Sequence, residues 1–153
     1  MTFSICRAGE NDLAALAPLF DAYRQFYGQP SDLARARAWL AERLARDESL
    51  VLLARNADGD TVGFTQLYRM FSSVRTARLW ILNDLFVAAP ARRAGVARAL
   101  LDAAARAAGD DGAAGLMLET GRDNAAARAL YRAAGWHEDA SQWYSLALPS
   151  THG

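Results

Sequence analysis

Hydrophobic side chains recur every three or four positions in some stretches of this chain and crowd into short continuous runs in others, which separates helices from strands. Phe3 to Arg7 reads as an opening strand. Ala, Leu and Arg periodicity over residues 11–26 predicts a first helix, closed by Gly28-Gln29-Pro30. A second helix follows, with Ser31 as its N-cap and Leu33, Ala36 or Arg37, Leu40 and Leu44 as a buried stripe. The apolar run 49–55 ends in Asn56-Ala57-Asp58-Gly59-Asp60, which is turn chemistry, and residues 61–70 return as the second arm of a hairpin. Residues 79–87 are apolar on both faces, as in a central strand covered on each side. A helix over 95–108 comes next, and Asp110-Asp111-Gly112 stops it. Residues 116–120 form another buried strand and 124–134 a helix, with Gly135 beyond it as the C′ residue and a last strand near 143–148. No repeat or linker interrupts this order, so residues 1–149 read as one domain with a polar tail, 150–153.

Composition narrows the class. A chain of 153 residues buries roughly two thirds of its unfolded surface without staples or metals. Its 52% hydrophobic content excludes disorder. The 17 acidic and 17 basic side chains cancel, so the electrostatic footprint of a nucleic-acid partner is missing. Cys6 is a lone cysteine, which rules out an internal disulfide, and no apolar stretch is long enough for a membrane span or a signal peptide. A cytoplasmic protein with no membrane partner is expected. His137 and His152 lie far apart with no acidic or cysteine ligand pattern around them, so no metal is expected.

The richest chemistry lies between Trp80 and Leu101, where an apolar strand feeds into an arginine-rich turn that opens a helix. Helix N-termini carry unpaired N–H groups and the positive end of the helix dipole, which suits an anion such as phosphate. The turn reads Arg92-Arg93-Ala94-Gly95-Val96-Ala97-Arg98, and no acidic residue falls between Asp84 and Asp102. Gly95 and Ala97 leave the backbone uncovered, so a bulky ligand can reach the amides. Neither Gly-Lys-Ser/Thr nor G-x-G-x-x-G is present, which removes the two better-known phosphate fingerprints. Every basic residue is an arginine; the chain has no lysine.

Arg-x-x-Gly-x-Ala after a strand ending in Leu85-Phe86-Val87 resembles the coenzyme A site of the GNAT N-acetyltransferases. A second signature of that family lies downstream, from Asn124 through Tyr131 to Gly135-Trp136, and the element order agrees over nearly the whole chain. The resemblance implies an α/β (α+β) GNAT fold, a mixed twisted sheet of about six to seven strands splayed between the fourth and fifth, flanked by about four helices. It implies acetyl-coenzyme A as co-substrate, with its pantetheine arm in the gap. Leu85, Phe86 and Val87 would pair with that arm, and Arg92, Arg93, Ala94, Gly95, Val96, Ala97 and Arg98 would enclose the diphosphate. Asn124, Ala127 and Tyr131 would also meet the coenzyme.

Amide formation requires that a primary ammonium lose a proton and the departing thiolate gain one. Tyr131 occupies the tyrosine position of the family's second signature and is protonated at neutral pH, so the resemblance makes it the acid; a core tyrosine on a stripe with Ala127 and Ala134 is the plainer reading. Asn124 is equally at home as an N-cap. The backbone N–H near Val87, where the strand bulges in relatives, is the implied oxyanion donor. Asn83-Asp84 interrupts an apolar strand, and polar groups in buried strands are costly unless paired or used, so Asp84 is the candidate base. Glu119 is a second carboxylate able to relay a proton through water. For either, an ion pair with a nearby arginine or a loop cap is the structural alternative.

Tyr23, Phe26 and Tyr27, with Gln66, Tyr68 and Met70 alternating along a strand, could line the acceptor pocket together with Asn83, or be ordinary core. Polyamine-acetylating relatives carry Glu at the position of Asn83; the Asn-Asp form is similar to members described as acting on histone-tail or related amines. The reading is therefore an N-acetyltransferase for a small amine, polyamine or lysine-like side chain. A non-catalytic acetyl-coenzyme A sensor, or a toxin-type member acetylating charged transfer RNA, are the alternatives, the latter disfavoured by the balanced charge. Trp136, Trp143 and Tyr144 surround the last strands, where relatives exchange strands between subunits, and a homodimer is expected.

Overall fold

The computed structural model describes residues 2–150. Five strands lie in the order β1 (Phe3–Arg7), β2 (Ser49–Asn56), β3 (Thr61–Ser72), β4 (Ala77–Val87) and β5 (Gly115–Met117). The first three pairings are antiparallel and β4–β5 is parallel, making the sheet mixed. β2 alternates between two cores. Leu50, Leu52 and Ala54 pack toward α3 (Val96–Asp110), whereas Val51 and Leu53 pack with α1 (Leu13–Phe26) and α2 (Leu33–Ala45). A strand buried on both faces reads as an unbroken apolar run, and Ser49–Asn56 is such a run.

α3 follows β4 and returns the chain to β5. The α3 stripe Val96, Leu100, Leu101, Ala104 and Ala108 is buried against the sheet. Beyond its end, Asp111 receives the Trp80 indole N–H at 3.1 Å and pairs with Arg78 at 3.4 Å, fixing the start of β5 beside the start of β4. α4 (Ala125–Ala133) lies beyond β5 and packs Leu130 and Tyr131 onto the α3 core. Gly135, at φ 92°, ends α4 in a left-handed turn: the Trp136 N–H reaches the Tyr131 carbonyl at 2.9 Å and the Gly135 N–H reaches Arg132 at 3.0 Å.

Three sequence expectations are corrected. Asp32, not Ser31, caps α2, accepting the Arg35 N–H at 3.0 Å; the Ser31 hydroxyl donates instead to the buried Asp21 at 2.7 Å. Leu33, expected in the buried stripe, is half exposed, because α2 buries only Ala36 and Leu40 completely. The strand near 143–148 is not formed, so the described sheet has five strands rather than six or seven. β5, expected over 116–120, pairs over only three residues and offers a following strand little ladder to bond to. His152 lies outside the described residues.

Candidate active site

One extra residue in β4 builds the centre of the site. Gln66 pairs with Asp84, but the next β3 residue, Leu67, pairs with Leu82, so Asn83 is looped out as a bulge. Trp80 and Leu82 face the α3 core before it, and Leu85 and Val87 face that same core after it. Simple alternation cannot satisfy both pairs. The bulge changes the phase and turns Asp84, with Phe86 two residues on, toward α1. The expected bulge near Val87 is thus found four residues earlier. Val87 is instead in regular register with Gly63.

Asp84 is 5% exposed. Three side-chain donors surround its carboxylate: the Gln66 amide at 2.6 Å, the Asn83 amide at 3.0 Å and the Tyr23 hydroxyl, which donates to the Asn83 carbonyl at 3.4 Å. Burial outweighs these three donors and raises the carboxyl above its ordinary proton affinity. Gln66 is fully buried and its Oε1 has no hydrogen-bond partner. Thr65, which the sequence did not single out, donates its hydroxyl to the Asp84 carbonyl at 2.8 Å and fixes the backbone behind the carboxylate.

Past Ile81, β4 and β5 diverge, since their pairing stops at Ile81–Met117. A cavity of about 650 Å³ lies there, and Asn83, Leu118, Glu119, Tyr131, Trp136 and Trp143 are among its lining residues. Tyr131 is half-buried; burial first, then nearby Tyr27, holds its phenol protonated above the usual tyrosine range. Its ring lies 6.3 Å from that of Trp136, an arrangement set by the Gly135 turn. Glu119 is exposed and sits two residues past β5. Tyr23 has its proton affinity raised by burial, by Asp84 and, more weakly, by Tyr27 and Tyr131. Asp84, Tyr23, Tyr27 and Tyr131 therefore form one electrostatic group.

The turn after β4 begins with a short 3₁₀ segment, Ala89–Ala91. Arg93 then takes φ 64° and Gly95 φ 82°, two left-handed residues flanking Ala94, so successive N–H groups can converge at the α3 N-terminus. A Cβ on Gly95 would meet nothing within 4 Å, so the space beside this turn is open. Arg92 and Arg93 are exposed, but Arg92 folds back, donating its Nε–H to the Val87 carbonyl at 3.0 Å. Arg98 is turned along the helix to Asp102 at 3.2 Å, and Val96 is buried in the core with Ala97 partly covered beside it. The Ala88 N–H bonds to Val62 on β3, so by strand alternation the backbone groups of Leu85 and Val87 point to the opposite edge, where Arg92 takes the Val87 carbonyl and the Leu85 groups and Val87 N–H stay open. Asn124 caps α4 by accepting the Ala127 N–H at 3.2 Å.

The expected acceptor wall divides. Tyr23 and Tyr27 touch one another at 5.1 Å between centroids; Tyr23 reaches Asp84, and both reach Tyr131 electrostatically. Tyr68 lies one step away: it accepts the Trp39 indole N–H at 3.4 Å, and its phenol is raised mainly by burial. Trp39, a tryptophan beside the apolar positions of an otherwise polar helix, has no role legible in the pattern alone and joins this wall through its bond to Tyr68.

Residues 14–136 match the profile of the Acetyltransferase (GNAT) family. The chain belongs to the GNAT acetyltransferases. It is 47% identical over 148 residues to a Bacillus subtilis (strain 168) protein named uncharacterized N-acetyltransferase YhfO, spanning 96% of this chain and 99% of that one. A crystal structure of a probable acetyltransferase superposes with a TM-score of 0.92 at 40% identity, covering 96% of this chain and 99% of the other. The ribosomal-protein-alanine N-acetyltransferase of Brucella melitensis biovar Abortus 2308 superposes with a TM-score of 0.78 at 26% identity, over 97% and 100% of the two chains. This GNAT chain is thus an acyl-coenzyme A-dependent N-acetyltransferase. The open cradle at Gly95 and the free edge of β4 suit a long ligand with a diphosphate and an amide-bearing arm. Among the described residues no group of three or more His, Cys, Asp or Glu side chains is arranged to hold a metal, and no helix is long and apolar enough to cross a membrane.

Proposed function

We propose that this GNAT enzyme acetylates a primary amine by direct attack of the amine nitrogen, with Asp84 as base and Tyr131 as acid. Acetyl-coenzyme A, when bound, supplies the activated acetyl thioester. The observation that carries the reading is the grouping of a buried carboxyl of raised proton affinity with a phenol held protonated, next to the gap between β4 and β5. Asp84 takes the proton that the ammonium loses as the new N–C bond forms. Tyr131 hands its hydroxyl proton to the sulfur as the C–S bond breaks, and the second proton that the acylated nitrogen sheds restores the Tyr131 hydroxyl. The turn amides at 93–96 bind the phosphate end, and the open edge at Leu85 and Val87 orients the arm. Glu119 lines the cavity and is exposed, and in this reading it relays protons onward to solvent. Small amines, polyamines and lysine-like side chains are the acceptor classes that this chemistry admits. A cytoplasmic homodimer is part of the same proposal, supported by the lone cysteine and the exposed apolar side chains beyond α4.

The test is product mass after incubation with acetyl-coenzyme A and a panel of amines. Tyr131→Phe should keep coenzyme affinity and lower kcat about a hundredfold, the scale of general acid catalysis. A rate within about twofold of the parent would overturn the acid assignment. Gly95→Trp, checked for folding by circular dichroism, should lose coenzyme binding, and unchanged affinity would remove the cradle from the reading.

A further inference from the structure

The rings around Asp84 form one connected run. Phe64 contacts Tyr23 at 5.6 Å between centroids, Tyr23 contacts Phe86 at 5.8 Å and Tyr27 at 5.1 Å, and Phe26 closes the run against Tyr27 at 5.3 Å and Phe86 at 6.3 Å. It starts in the core, with Phe64 fully buried, and ends in solvent, where Phe26 is 66% and Tyr27 63% exposed. Core packing alone does not call for two adjacent exposed rings at a helix end. They stand beside the reaction centre: Tyr27 packs on Tyr23 at 5.1 Å between centroids, and the Tyr23 hydroxyl donates to the carbonyl of Asn83, next to Asp84, at 3.4 Å.

Charge on the same face is sparse and already committed. Asp47 is paired with Arg69. Glu48 is paired with Arg43 at 3.2 Å, and Glu42 with Arg43 at 3.1 Å and Arg46 at 3.4 Å. Asp21 is filled by the Ser31 hydroxyl, the Gln25 amide and the Asp32 N–H. Of the acidic side chains on α1, α2, β2 to β4 and the α2–β2 turn, Asp21 and Asp84 form no ion pair with an arginine, and Asp84 is the one that stands beside Tyr23 of the aromatic run. The Arg92 guanidinium lies 5.6 Å above the Phe86 ring, placing a fixed positive charge at the rim. Across the cavity Glu119, Glu138 and Asp139 share the wall with Arg122, Arg128 and Arg132, three carboxylates among three guanidinium groups.

We infer that the acceptor carries a single ammonium on an aromatic or extended apolar body, an arylalkylamine being the simplest form. Its ring lies on Phe26 and Tyr27 and its nitrogen faces Asp84. Aromatic faces favour both a ring partner and a lone cation. Polyamines and lysine-rich peptides bring further ammonium groups, which meet Arg92 on the Phe86 ring and a cavity wall whose carboxylates stand among as many arginines. The inference rests on Asp84 being the base.

The experiment compares kcat/KM for 2-phenylethylamine, ethylamine and spermidine with the intact enzyme and acetyl-coenzyme A, read by product mass. 2-Phenylethylamine should exceed spermidine by about a hundredfold, the scale of unmatched charge at a binding surface. Phe26→Ala should lower kcat/KM for 2-phenylethylamine about tenfold more than for ethylamine. Spermidine equal to or better than 2-phenylethylamine overturns the inference, as does an equal effect of Phe26→Ala on both monoamines. Acetylation that survives Asp84→Asn unchanged for every amine overturns the base assignment beneath it, and the two failures are thereby told apart.

Discussion

Asp84 shows two opposed effects on one carboxyl. Hydrogen bonds from Gln66, Tyr23 and Asn83 favour the charged form, burial favours the neutral one, and burial wins. A raised proton affinity suits a base that must take a proton near neutral pH. Because the folded pKa lies above the unfolded value of 3.8, the folded state holds the proton longer. Stability therefore falls as pH rises between the two values, while activity rises as the carboxylate ionises. Rate and urea stability, measured across that window, should run in opposite directions in the parent enzyme. Asp84→Asn should abolish both the acidic limb of the rate profile and this slope in stability. Gln66→Leu removes the closest donor, so its acidic limb should move to higher pH. Asp84 stood out in the sequence as a charge inside an apolar strand. Its partner did not, since nothing in either strand's pattern says that Gln66 lies opposite it.

Helix and strand positions were mostly legible because their periods are long and clear. Phe3–Arg7 was read to the residue, and β2, β3 and β4 to within two residues at either end. The bulge was legible in principle: Trp80 and Leu82 are out of phase with Leu85 and Val87, a sign of one extra residue, hidden by the apolar character of the whole strand. The segment 143–148 misled because its apolar side chains satisfy the strand pattern, but a strand also needs a partner ladder, and pattern cannot supply one. The end of α1 owes its position to Asp21, which ties the helix to Ser31 and Asp32. These bonds, with the Asp32 N–H first, lower the Asp21 pKa, so the clamp stabilises above the unfolded value of 3.8 and is lost as pH falls through the lower folded value. Asp21→Ala should lower the urea midpoint near pH 7, and the gap to the parent should narrow at about pH 3. A gap that does not change with pH would mean that lost packing, not the carboxylate, is responsible.

At the scale of the molecule, exposed surface suggests assembly. Trp143, Tyr144, Leu146 and Leu148 are 66%, 89%, 84% and 76% exposed, a concentration of apolar side chains that water disfavours. A homodimer that covers them should sediment at twice the mass of one chain, and Leu146→Asp with Leu148→Asp should shift it toward the monomer; a parent enzyme that is monomeric at every concentration would refute the proposal. The divergence of β4 from β5 has another consequence. Most open sheets have two borders, but this one has a third, running inside the molecule along Leu85 and Val87. A border at the outside of a sheet invites other chains to add strands and aggregate. An interior border, closed at one end by the Arg92 side chain on the Val87 carbonyl, admits a slender extended molecule and shuts out another sheet, so the protein keeps the Leu85 backbone groups and the Val87 N–H open for binding without the hazard that open backbone brings.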